Sequence, residues 1–170
     1  MKSHFYLVWG WITFIACVGQ FILKHIVGYD KHYLVWLITF VGVAYSIYQG
    51  IREGKKERVK TYAGESMQHL WTGMGIAYIL LSFVISMTSG WGGNAFPLFI
   101  ILYGLGTFIS GSILKFRPLV LGGLLAWAIA IGSVYVEYDY QILMAGLAIL
   151  VSYIIPAYIF RAWQKHQGTT

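Results

Sequence analysis

Every charged side chain of this chain is excluded from six long stretches. All 12 Lys and Arg and all 6 Asp and Glu of the 170 residues lie outside residues 5–23, 33–51, 67–88, 96–114, 119–136 and 142–160. As a helix rising 1.5 Å per residue, each stretch measures about 27 to 33 Å, which matches a bilayer hydrocarbon core of about 30 Å. A soluble fold built from six such stretches lacks the polar surface to dissolve, since only 11% of the residues are charged against roughly a quarter in an average soluble domain. Inside lipid the backbone must satisfy its own hydrogen bonds. The stretches are about twice the length of a barrel strand and do not alternate, so each is expected to be a helix. The sequence therefore reads as an all-α integral membrane bundle of six transmembrane helices arranged as three hairpins, a single transmembrane domain over residues 1–170.

Orientation follows from the cations. Lys2, Arg52, Lys55, Lys56, Arg58, Lys60, Lys115, Arg117, Arg161 and Lys165 fall on one side of the six spans, and only Lys24 and Lys31 on the other, beside Asp30, Glu137 and Asp139. The positive-inside rule makes the ten-cation side cytoplasmic, with the N- and C-termini on it, and makes the chain a multi-pass protein of the cell inner membrane. Topology thus accounts for the net charge of +6, and no nucleic-acid partner is expected. The expected partner is the bilayer itself, with anionic headgroups drawn to the loop from Arg52 to Lys60 at about 1 kcal/mol per cation. Lys2 followed by an apolar run has the start of a signal peptide but no small-residue cleavage pattern closes it. The single cysteine, Cys17, excludes an internal disulfide framework and a multi-thiolate metal site.

Lipid and protein interior are equally apolar, so an interior face announces itself by small and hydrogen-bonding side chains at helical spacing. In the fourth span Tyr103, Gly104, Gly106, Thr107, Ser110 and Gly111 share one face, opposite Ile101, Leu105 and Ile109. The fifth aligns Gly122, Ala126, Ala130 and Ser133; the sixth aligns Ala145, Ala148, Ser152 and Pro156. The first aligns Thr13, Cys17, Gln20 and Lys24, and the second Thr39, Gly42, Ser46 and Gln49. No carboxylate or ammonium stands in the middle of a span, which argues against a proton relay at the midplane.

Three features remain as candidates for chemistry. Pro156, inside the last span, removes the hydrogen bond to the Ser152 carbonyl and is expected to kink the helix. Tyr103, Trp127 and Tyr153 lie far from the interfacial belts where Tyr and Trp usually sit, and with Thr107, Ser110, Ser152 and Pro156 they are the candidate lining of an interior cavity. Most other aromatics, Trp71 and Tyr138 among them, read as belt residues. Glu65 and His69 lie four apart where the third span enters the membrane, and a carboxylate there fixes an imidazole tautomer for proton or metal handling. Zinc needs at least one further ligand, and His4, His25, His32 and His166 are scattered, so no metal site and no cofactor is expected. No nucleophile–base pair or phosphate cradle is present, so the chain is not expected to be an enzyme.

The run Leu102-Tyr-Gly-Leu-Gly-Thr-Phe-Ile-Ser-Gly-Ser-Ile-Leu-Lys-Phe-Arg-Pro-Leu119 joins a glycine-rich span to a basic turn, and Ser152-Tyr-Ile-Ile-Pro156 closes the last helix. Together they resemble a group of small six-span bacterial inner-membrane proteins with no assigned activity, over roughly residues 65–161. A looser similarity is to the hairpin-repeat membrane proteins linked to acid stress, which also have three pairs of glycine-rich spans. These resemblances imply location and topology. The expected function is a non-catalytic membrane subunit with a structural, stress-related or partner-binding role, its protein partner a second copy or another membrane protein. The alternative is a passive channel or facilitator for a small neutral or weakly polar solute.

Overall fold

A computed structural model describes residues 3–28, 31–54, 62–88, 93 and 95–167. Every extended element among them is helical: α1 (Ser3–His25), a 3₁₀ turn (His32–Trp36) running into α2 (Leu37–Gly54), α3 (Tyr62–Met87), α4 (Ala95–Ile113), α5 (Arg117–Ser133), α6 (Tyr138–Ile149), a π turn (Leu150–Ile154) and α7 (Ile155–Gln167). Four helical stretches among the described residues are long and apolar enough to cross a membrane: Leu7–His25, Tyr62–Met87, Ala95–Ile113 and Tyr138–Ala162. Leu34–Ser46 and Arg117–Ser133 are apolar but shorter.

The core is built from α1, α4, α5 and α6, with α6 touching the other three. α2 rests on α1, and α3 on α4. The sequence-adjacent pairs of the expected hairpins do touch, but the most extensive contact joins α4 to α5, and α1 packs more widely on α6 than on α2. Small residues decide this. A Cβ at Gly123 would stand 2.9 Å from the Gly104 carbonyl oxygen, and one at Gly111 would stand 2.6 Å from the Val120 nitrogen. Backbones approach that closely only where side chains are absent.

The α4–α5 turn is tight. Phe116 N–H bonds the Gly111 carbonyl at 2.9 Å and Lys115 N–H bonds Ser112 at 3.2 Å, the paired closure of a helix C-terminus that requires a left-handed residue. Lys115 takes that conformation, at φ 52°, and an L side chain there costs about 1 kcal/mol or more. Lys115→Gly is therefore expected to raise unfolding stability in detergent by roughly 1 kcal/mol; a loss would show that the lysine side chain contributes more than its backbone costs.

Pro156 does disturb the helix in which it sits, and the disturbance takes a specific form. The helix admits one wide turn just before the proline, in which Ile155 N–H bonds the Leu150 carbonyl five residues back. A π turn redistributes backbone bonds around a residue that cannot donate. Its neighbours are shaped for it. A Cβ at Gly122 would lie 2.7 Å from the Ser152 carbonyl oxygen, and one at Gly10 would lie 2.8 Å from Ile154 Cγ1.

Candidate functional site

Tyr153 projects from the π turn into the centre of the bundle, where only 1% of its surface is exposed. Its ring meets Tyr103 of α4 at 5.3 Å between centroids and Trp71 of α3 at 5.8 Å, both edge to face, and Trp71 meets Tyr103 at 6.5 Å. This geometry suits the ring quadrupoles. Trp71, read as a belt residue from the sequence, is thus half-buried and part of the interior cluster. Thr107 is fully buried, its hydroxyl donating to the carbonyls of Tyr103 at 3.0 Å and Gly104 at 2.9 Å. Ser110 and Ser152 are fully buried too, and neither hydroxyl has a partner among the described residues.

Trp127 does not join the cluster. Its indole N–H donates to the Ile101 carbonyl at 3.1 Å, its ring stacks on Phe108 at 5.4 Å, and its edge covers Gly104, where a Cβ would fall 2.7 Å from the indole. Of the seven residues singled out as a cavity lining, Tyr103 and Tyr153 touch each other directly. Thr107, Ser110 and Ser152 are buried on the small-residue faces of the same helices, and Pro156 sets the π turn that aims Tyr153 inward.

A second cluster lies where α1 ends and α6 begins. Lys24 Nζ donates to Asp139 Oδ1, and His25 Nε2 stands 3.6 Å from Asp139 Oδ2. His25 also stacks on Phe21 at 4.4 Å and faces Tyr140. Asp139 occupies the first turn of α6, and Lys24 and His25 the last turn of α1, so the helix dipoles favour the charges of Asp139 and Lys24. Gln20, Phe21, Lys24, His25, Phe96, Tyr138, Asp139 and Ile142 line a cavity of about 10 Å³ there, room for about one water. Gln20 accepts from the Trp36 indole at 2.5 Å, so the 3₁₀ turn is tied to the same place. The sequence shows these charges but not that α1 and α6 bring them together.

Because Lys24 and Asp139 keep 38% and 32% of their side-chain surface exposed, solvent screens the pair and its contribution is at most about 1 kcal/mol. Asp139→Asn is expected to lower stability by that amount at low salt and by less in 1 M NaCl, measured by thermal unfolding; a loss unaffected by salt would contradict an electrostatic latch.

Glu65 and His69 approach to 4.0 Å across one turn of α3, with 57% and 78% of their side chains exposed. Among the described residues no cluster of three His, Cys, Asp or Glu gathers. The basic loop over residues 52–60 lies outside the described residues, apart from the end of α2. No known protein family matches the chain, and no curated protein or solved structure does so either.

The remaining feature belongs to α3. The helices that form the core turn small and polar residues inward: Gly10, Cys17 and Gln20 in α1; Gly104, Gly106 and Ser110 in α4; Gly122, Ala126 and Ser133 in α5; Ala145 and Ala148 in α6 and Ser152 in the π turn. α2 likewise buries Gly42 against Trp9 and Ile12 of α1 and places Ser46 to accept from the Trp9 indole at 2.8 Å. In α3 the buried residues are Met67 and Met74. Gln68, Thr72, Gly75, Ile79, Ser82 and Ser86 are exposed instead, and their spacing of four, three, four, three and four residues places them on one continuous seam.

Proposed function

We propose that this chain is a non-catalytic, six-span protein of the cytoplasmic membrane that works by contact with another membrane-embedded helix, and that α3 carries the contact. The observation that carries the reading is the reversed face of α3. In lipid, helices associate where small residues let backbones approach, and α3 presents Thr72, Gly75, Ser82 and Ser86 outward along one seam. The hydroxyls of Thr72, Ser82 and Ser86 bond back to carbonyls of their own helix at 2.8 Å, so the seam offers a low profile more than hydrogen bonds. A Cβ at Gly75 would meet nothing within 4 Å.

Lipid as the surrounding solvent is supported by the outer surface. Phe40, Val41, Phe83, Met87 and Ile131 are each 60% or more exposed, and large apolar side chains exposed on that scale are a liability in water. The six-span topology, with the α2–α3 and α4–α5 connections in the cytoplasm, rests on the cation distribution. Passive passage of a neutral solute along α4 and the last span has less support, because Trp71, Tyr103 and Tyr153 pack ring to ring across that interior.

The test is photo-cross-linking in native membranes. A benzophenone side chain placed at Gly75 or at Ser82, which inserts into a neighbouring C–H bond without needing a thiol, is expected to give a covalent protein adduct, whereas one at Leu121 on the apolar face of α5 gives none. The mass of the adduct distinguishes a second copy from a different protein. Absence of any adduct at both α3 positions, with the proteins present at normal levels, would remove the proposal.

A further inference from the structure

The cations of the α4–α5 turn and of α7 are brought to one place by an aromatic contact. Phe116 and Phe160 meet edge to face, 5.0 Å between ring centroids. Lys115 and Arg117 flank Phe116, and Arg161 follows Phe160; all three are exposed. The paired closure at Gly111 and Ser112 ties the turn to the end of α4, and the Phe116–Phe160 contact sets it against α7. None of the ion pairs among the described residues uses these cations. Residues 95–133 and 140–167 contain no Asp or Glu, so the elements that form the patch supply no carboxylate to neutralise it.

Three cations held around one aromatic contact, with no acidic side chain on their own elements, attract an anion, and guanidinium groups match phosphate oxygens in pairs. What adjoins the patch is apolar: α5 touches α7, and Leu121 and Leu125 of α5 and Ile155 and Ile159 of α7 are exposed along the same two helices. A charged patch at the end of an apolar helix pair is complementary to a molecule with an anionic head and hydrocarbon tails. We infer that Lys115, Arg117 and Arg161 form a binding site for the phosphate headgroup of an anionic phospholipid in the cytoplasmic leaflet. The site rests on the membrane reading above. It lies on other elements than the α3 seam.

The experiment follows the melting temperature of the purified full chain in a neutral detergent, with phosphatidylglycerol, phosphatidylcholine or inorganic phosphate added. The melting temperature of the wild type is expected to rise with phosphatidylglycerol alone. One cation near an anionic surface strengthens binding by about fivefold, so replacing one cation by Gln weakens the half-saturating lipid concentration by about that factor, and K115Q/R117Q/R161Q weakens it by about a hundredfold. The triple variant must melt like the wild type in phosphatidylcholine, which shows that it folds; if it does not, the three single variants carry the comparison, because each changes one exposed side chain. An equal response to phosphatidylcholine, an equal response to inorganic phosphate, or an unchanged response after neutralisation would each overturn the site. Co-flotation of the protein with phosphatidylcholine vesicles reports on membrane insertion separately. A chain that floats without preferring the anionic lipid refutes this site and leaves the membrane reading standing, whereas one that does not float refutes the membrane reading itself.

Discussion

Replacing Gly122 with alanine is expected to destabilise the protein by about 3 kcal/mol, the upper end of what an inserted methyl group costs in a packed interior. The added Cβ would stand 2.7 Å from the Ser152 carbonyl oxygen, 2.8 Å from its Cα and 3.1 Å from its carbonyl carbon. These are backbone atoms and cannot rotate away. They belong to the π turn, whose geometry Pro156 constrains, so α5 must move off the last span to make room. Gly75→Ala is the control: nothing lies within 4 Å of the new Cβ, and helix propensity favours the change by up to about 1 kcal/mol. Reversible unfolding of both variants in the same detergent checks the pair. Similar losses at the two positions would mean that Gly122 does not lie against the π turn.

Tyr153→Ala is expected to cost about 3 to 5 kcal/mol, the range for deleting a large buried ring. The loss has two parts. The side chain is 1% exposed, so its removal leaves a void walled by other helices, and it forfeits edge-to-face contacts with Trp71 and Tyr103. Tyr153→Phe keeps the ring and both contacts and should cost far less than the alanine variant. Because Trp71 belongs to α3 and Tyr103 to α4, the alanine variant should also loosen α3, seen as faster amide hydrogen exchange over Tyr62–Met87 than over Ser3–His25. Uniform exchange would indicate that Tyr153 does not hold α3 in place.

Much of the helical arrangement is legible in the sequence because it depends on what is missing. Charge-free stretches mark the long helices, and stripes of glycine, alanine and serine mark the faces that pack: Gly104, Gly106, Thr107, Ser110 and Gly111 are the buried side of α4, and Ile101 and Leu105 its exposed side. The same signal does not say whether the neighbour is in the same chain. On α3 it points outward, and only the placement of Met67 and Met74 against the bundle reveals the reversal.

Other features escape sequence reasoning for different reasons. Lys24 and Asp139 are 115 residues apart, and nothing in their local context specifies that the first and last spans are neighbours. Pro156 signals a disturbed helix, but not that the disturbance is a wide turn accommodated by Gly10 and Gly122 on two other helices. The interior residues separate along the same line. Tyr103 and Tyr153 are marked by their depth in the spans, whereas Trp71 lies near an end of its apolar run and looks like an anchor. Trp127 has the depth but finds its acceptor, the Ile101 carbonyl, and its stacking partner, Phe108, on the other part of α4.

The cation distribution has the chain cross the membrane so that the connection between α5 and α6 faces outward and the start of α3 faces the cytoplasm. Tyr135 and Tyr62, each 87% exposed, mark these two places, and the native Cys17 is fully buried, which keeps background labelling low. A membrane-impermeant maleimide applied to intact cells is expected to label Tyr135→Cys and to reach Tyr62→Cys only after the cells are opened. Labelling of Tyr62→Cys in intact cells, with Tyr135→Cys protected, would contradict the topology; equal labelling of both in the soluble fraction would contradict the membrane reading altogether.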